Sequence, residues 1–197
     1  MAEKLDLTAL LGSRICHDLI SPIGAIGNGV ELMLMDGAQA SPEMALIAES
    51  VTHANARIRF FRLAFGAAHG EKNVNRNEVT EVLADMTRGS RLRIDWISQP
   101  HIPRASVKLS FLLLMCLESA MAFGGVVEVE QGEPRWTIKG RAPRLQVDPA
   151  LWGVLTQGPL PEISPAQVQF PLVSEELARQ HRRLTTEIEA AEIRFTF

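Results

Sequence analysis

Apolar positions organise the first third of the chain. Leu11, Ile15, Leu19, Pro22, Ile26, Val30 and Met33 recur at spacings of three and four, the mark of one buried stripe on an α-helix that turns about 100° per residue. The spacing predicts a helix from about Lys4 to Met35, stopped at Asp36-Gly37, where glycine can cap the C-terminus. Ser41-Pro42-Glu43 is a start signal: Ser as N-cap, Pro at the first helical position, an acid in the first turn. A second helix follows from Ala45 to Phe65, and so short a connection folds the pair into an antiparallel hairpin. Two helices alone cannot cover two apolar stripes. A second copy can, so the expected assembly is a four-helix bundle made by dimerisation.

Beyond a polar segment, His69–Asn77, which reads as a linker, the period changes repeatedly. The pattern predicts a helix over Glu78–Asp85, a strand over Arg91–Ile97 and a helix over Val107–Phe123. Strands at Val126–Glu130 and Arg135–Lys139 should form a hairpin around Gln131-Gly132. A proline-punctuated stretch from Asp148 to Pro165 leads into a helix ending near Arg183, and alternating runs at 184–190 and 192–197 suggest a terminal hairpin. The expected fold class is therefore α+β: a helical hairpin over residues 1–69 and an α/β sandwich over 77–197. There is no internal repeat and no low-complexity segment.

Composition narrows the function classes. A net charge of −3 and a pI near 6.0 lack the basic footprint of a nucleic-acid binder. Cys16 and Cys116 both sit in apolar helical patterns, as thiols of a reducing compartment do, rather than in a disulfide framework. The N-terminal MAEKLDLTALLG has no uninterrupted apolar core of a secretory signal, and the longest apolar run, Phe111–Leu117, is too short to cross a bilayer. A cytoplasmic protein without a membrane partner is expected.

The chemistry concentrates on the first helix. On a helical wheel His17 falls about 190° from the centre of the apolar stripe, so it should face solvent. Ser13, Arg14, Ser21, Gly24 and Asn28 share that face. A lone helical histidine can be simply a solvated polar residue. Against that, each of Gly24, Gly27 and Gly29 costs the helix about 0.8–1.0 kcal/mol relative to alanine, and small residues clear a flat approach for another protein. An exposed imidazole is largely neutral near neutral pH and can act as a nucleophile. Asp18 could orient the ring or take its proton; it could equally pair with Arg14 one turn back.

These residues carry a family resemblance. His17-Asp-Leu-Ile-Ser-Pro22 is similar to the H-box of two-component histidine kinases, and the longer string from Arg14 to Leu32 resembles ChpT-type histidine phosphotransferases of bacterial phosphorelays. The resemblance is strong over residues 8–65 and weaker through the rest, where the family has a domain shaped like a kinase's ATP-binding domain. It implies that His17 is phosphorylated, that Asp18 assists transfer, and that Ser21 holds the place of a polar residue that helps dephosphorylation. It also implies a homodimer. The partners would be the receiver domain of a hybrid histidine kinase as donor and response regulators such as CtrA as acceptors. Ser13, Arg14, Gly24 and Asn28 would form the receiver-docking surface. No cofactor of the chain's own is expected, because the receiver would supply Mg²⁺.

A kinase would need more. Its N-x-x-x-N box has its best counterpart in Met115-Cys-Leu-Glu-Ser119, with Met and Ser in place of the asparagines and Glu118 as an unaligned oxygen donor. No D-x-G-x-G occurs, and the single Gly-x-Gly, Gly27-Asn28-Gly29, lies inside the first helix. Without metal ligands the triphosphate would lack its neutralising cation, so the second domain is expected to resemble an ATP-binding domain in shape only. The alternatives to a relay are a dimeric adaptor that docks receivers without phosphate, and a divergent kinase. His53, His69, His101 and His181 show no metal-ligand spacing. Phe60, Phe61, Phe65, Trp96, Trp136 and Trp152 read as core, and Arg57, Arg59, Arg62 and Arg76 as a solvated positive face near the hairpin base.

Overall fold

The computed structural model describes residues 7–35, 42–66 and 73–197; within 7–35 the side chains described are those of residues 12, 19, 20, 23–33 and 35. The expected helix start at Lys4, the cap at Asp36-Gly37 and the N-cap at Ser41 lie outside the described residues, as does the linker up to residue 72.

Small residues set how closely the first two helices approach. Helix α1, Leu7–Met35, runs without interruption through Pro22, and α2, Pro42–Phe65, returns beside it. A Cβ on Gly27 would stand 3.2 Å from Val51 Cγ1, and one on Gly12 would stand 3.1 Å from Phe65 Cβ. Gly27 is thus a packing residue between the two helices, not part of an open surface. The apolar stripe is also not uniform. Val30 is buried, while Leu19, Ile26 and Met33 stay exposed, with Leu46 and Ile47 exposed on α2. The phase explains the split: the exposed positions cluster within about 20° of Ile26, while Val30 turns a further 40° or so toward α2.

After α2 come β1 (Asn73–Asn75), α3 (Arg76–Thr87), β2 (Leu92–Ile97), β3 (His101–Pro103) and α4 (Arg104–Ala120). Then follow β4 (Gly125–Gln131), β5 (Trp136–Arg141), α5 (Pro149–Gly153), two 3₁₀ turns, α6 (Gln169–Arg179), β6 (Thr185–Ile188) and β7 (Glu192–Thr196). The five-stranded sheet has the order β2-β4-β5-β7-β6, with β2 parallel to β4 and the other pairs antiparallel. The α+β character and the terminal hairpin match the sequence pattern.

Three expectations are corrected. Residues 73–77, read as linker, form β1, which pairs with β3, and the first turn of α3, capped by Asn75 accepting from the Asn77 amide at 2.9 Å. The helix expected at Val107–Phe123 starts at Arg104 directly behind Pro103 and ends at Ala120, before Gly124 at φ +91°. The last helix stops at Arg179 rather than Arg183.

Helix α4 is the centre of the second half. Its run Leu109–Leu114 is buried all round, as a helix covered on every side must be. It packs on α2 and α6 and lies in one core with the inner residues of the sheet, among them Val127, Val129, Ile138, Ile193 and Phe195. The aromatics join that core as expected: Phe60 meets Phe111 at 4.7 Å and Trp96 meets Trp136 at 5.5 Å between ring centroids. Cys116 is fully buried, and burial pushes its thiol well above the ordinary value, so it stays protonated and inert. The outer sheet face is charged. There Arg141 donates to Glu192 at 2.7 Å and holds that carboxyl below its usual range, assisted by Arg194.

Candidate functional site

All seven residues singled out on the first helix, Ser13, Arg14, His17, Asp18, Ser21, Gly24 and Asn28, lie on α1. A continuous helix fixes their phases. Gly24 and Asn28 follow His17 by seven and eleven residues, which returns each to within about 20° of its direction. Ser21, one turn on, lies about 40° away. That side of the hairpin is clear where it is described. Asn28 is exposed, and a Cβ built on Gly24 meets no atom within 4 Å. The exposed apolar residues Ile26 and Met33 lie on the opposite side of the helix. One helix therefore presents two surfaces, a small polar one and a large apolar one.

The height of His17 on the hairpin matters as much as its phase. Interpolating between the Gly27–Val51 and Gly12–Phe65 contacts puts the His17 position level with Phe60 and Phe61 of α2. At that level α2 enters the core of the second half, through Phe60, Leu63 and Ala64. The helix bearing the histidine is thus held, through α2, by the second half of the chain.

Four arginines make that attachment, and the sequence reading missed their role. Arg57 donates to both oxygens of Glu118 on α4, at 3.0 and 3.3 Å. Arg59 reaches Asp85 on α3 at 3.0 Å, and Arg62 reaches Glu78 at 2.8 Å. The fourth, Arg104, is 5% exposed at the start of α4. It donates to the Leu63 and Arg62 carbonyls at 2.7 and 2.8 Å, capping the C-terminus of α2, where a cation meets the negative end of the helix dipole. The face read as solvated is a set of ion pairs. Arg76 alone of that group bonds only a carbonyl among the described residues, that of Ser98, at 3.2 Å.

The residues read as the counterpart of a kinase's N-box make contacts within the chain. Glu118 is taken by Arg57, Ser119 Oγ donates to the Cys116 carbonyl at 2.6 Å, and Met115 packs on the core. The segment after β5 is tied to the same helix: the Gln146 amide donates to the Ala120 carbonyl at 2.9 Å, while Leu145 and Val147 pack on the core. The Arg144 guanidinium lies 5.2 Å from the Phe123 ring centroid. Among the described residues, no three His, Cys, Asp or Glu side chains converge as a metal site would require. No helix there is long and apolar enough to cross a membrane.

Comparison with known proteins points one way. A family model, the histidine phosphotransferase C-terminal domain, matches residues 76–192. The protein phosphotransferase ChpT of Brucella abortus (strain 2308) is 38% identical over 151 residues, covering 73% of this chain and 72% of that protein. The solved structure of a bacterial phosphotransferase superposes with a TM-score of 0.70 at 30% identity, covering 100% of this chain and 97% of the other.

Proposed function

The chain belongs to the ChpT-type histidine phosphotransferases, and we propose from that membership that it relays a phosphoryl group between receiver-domain aspartates through His17. An imidazole nitrogen of His17 attacks the phosphorus of an aspartyl phosphate on the donor receiver. The P–N bond forms, the acyl P–O bond breaks, and the aspartate leaves as its carboxylate. An acceptor receiver's aspartate then reverses the step. Asp18 holds the imidazole proton, and Ser21 stands one turn further along the same side. The receiver brings Mg²⁺ and most of the charge stabilisation, leaving this chain to supply the nucleophile and its positioning.

The observation that carries this reading is the open strip at Gly24 and Asn28, in phase with His17. With Ser13 and Arg14 it forms the docking surface. We assign residues 1–69 to dimerisation and phosphotransfer and residues 77–197 to a domain that braces the hairpin. The donor is a hybrid kinase's receiver and the acceptors are response regulators of the CtrA type, meeting in the cytoplasm. The family model and both relatives are phosphotransferases, which does not favour a phosphate-free adaptor. The test is incubation with a receiver phosphorylated on its aspartate. The chain should acquire label that is lost in acid and kept in alkali; absence of such label overturns the reading.

Two further expectations accompany it. The chain does not use ATP, because Glu118, Ser119 and Met115 are engaged elsewhere. Calorimetric titration with Mg-ATP should give no heat of binding, and a micromolar dissociation constant would revive the kinase alternative. The chain also forms a homodimer through the apolar side of the hairpin, where Ile26 and Met33 remain 53% and 55% exposed in a single chain. Sedimentation equilibrium should give twice the 21.7 kDa chain mass, and Ile26→Lys should dissociate or unfold it. A mass near one chain at micromolar concentration contradicts the dimer.

A further inference from the structure

Between the hairpin and the sheet lies a cavity of about 460 Å³ that phosphoryl transfer does not use. It is large enough for a small organic molecule, since such sites span about 300–1,000 Å³. Four elements wall it with apolar groups: Phe60 of α2, Met86 of α3, Leu92 and Ile94 of β2, and Leu114 of α4, with Met121 just beyond that helix. Its rim is polar, and most of that polarity is already satisfied. Thr87 Oγ1 donates to the Leu83 carbonyl at 2.9 Å, and Ser90 Oγ donates to the Leu92 carbonyl at 3.0 Å. The Glu118 carboxylate accepts from Arg57.

Arg91 is the exception. It lines the cavity from an exposed position, and its guanidinium has no ion pair or hydrogen bond among the described residues. The backbone fixes it there. The Gly125 amide donates to the Arg91 carbonyl at 3.0 Å, and Gly124, at φ +91°, packs so closely on Arg91 that a Cβ would collide with it. Arg88 and Arg57, the other cations at this corner, are paired with Asp85 and Glu118.

We propose that this cavity binds a planar aromatic molecule bearing an acidic group. Two methionine thioethers and a phenylalanine ring make a polarizable wall suited to an aromatic face. The guanidinium of Arg91 offers a planar fork that matches a carboxylate or sulfonate with two parallel hydrogen bonds. A neutral ligand would leave that cation unmatched, and a basic one would be repelled by it. The molecule would touch Phe60 of the hairpin and Leu92 of the sheet at once, bridging the two parts of the protein. This site is independent of the phosphorelay reading.

The experiment uses the full chain with naphthalene-2-carboxylate as probe and naphthalene-2-methanol as its uncharged counterpart, both followed by calorimetry. One carboxylate should bind per chain, about tenfold more tightly than the alcohol. Arg91→Glu should lose at least about that factor. Ala122→Trp, which puts a bulky ring at an exposed position on the cavity's edge, should abolish binding. Circular dichroism and Tm of both variants should match the parent, since both positions are exposed. The proposal is overturned if the two variants bind the carboxylate as the parent does, or if acid and alcohol bind equally.

Discussion

Replacing His17 with alanine should reduce phosphoryl transfer from a phosphorylated receiver to undetectable levels while the chain stays folded. The loss should be complete because the relay runs through a covalent bond to this one side chain. In covalent catalysis the group that forms the bond cannot be bypassed by residues that only position or polarise it. Folding should not suffer, because alanine is the best helix former and α1 gains rather than loses propensity at that position. Asp18→Asn tests the proton-holding role separately: it keeps the size and removes the charge, and should slow transfer by about 10²-fold, the lower end for general acid–base contributions. The measurement is the rate of label transfer under single-turnover conditions, with circular dichroism as the control for folding. Unchanged labelling of the His17→Ala protein would remove the histidine from the mechanism. Unchanged transfer by Asp18→Asn would leave Asp18 as an ordinary surface acid.

How far the sequence could be read depended on the distance over which each feature acts. The stripe from Leu11 to Met33 is a pattern within one helix, so the hairpin was legible, and His17, Asp18, Ser21 and Pro22 lie within six consecutive positions. The strands β4, β5, β6 and β7 were legible because alternation extends over each of them. The β1–β3 pair was not: three residues show no period, and the register Val74↔Ile102 joins positions that nothing local connects. The glycines divide in a way that periodicity cannot show, since Gly27 packs on Val51 whereas Gly24 meets open space. The arginines of α2 were read as a solvated face because their partners lie 16 to 61 residues away in the chain. Each pair becomes visible only when α2 is laid against α3 and α4.

Arg104 is where that long-range coupling is strongest, and Arg104→Met should show it. Methionine keeps most of the length and the apolar stem but cannot donate, so the Leu63 and Arg62 carbonyls at the end of α2 lose their partners. Hydrogen bonds to a charged group contribute about 1.5–3 kcal/mol each, and the interaction of a cation with a partly buried helix end adds up to about 2 kcal/mol. Allowing for relaxation around the longer apolar side chain, the expected loss is about 3–4 kcal/mol, which for a chain of this size lowers Tm by about 10 °C. Arg104→Lys should recover part of it, since an ammonium can still reach one carbonyl. A Cβ at Gly66 would collide with the Arg62 carbonyl and lie 3.1 Å from Arg104 Nη2, so Gly66→Ala should strain the same junction from the other side. Thermal unfolding followed by circular dichroism measures all three. If Arg104→Met unfolds within a degree of the parent, the buried guanidinium does not hold the hairpin, and the weight falls on the packing of Phe60 and Leu63 and on the ion pairs of Arg57, Arg59 and Arg62. If it unfolds early and in two steps, the hairpin and the sandwich have been uncoupled. Transfer through His17 should then slow even though no residue of α1 has changed, because the histidine is positioned by a helix that the second domain holds in place.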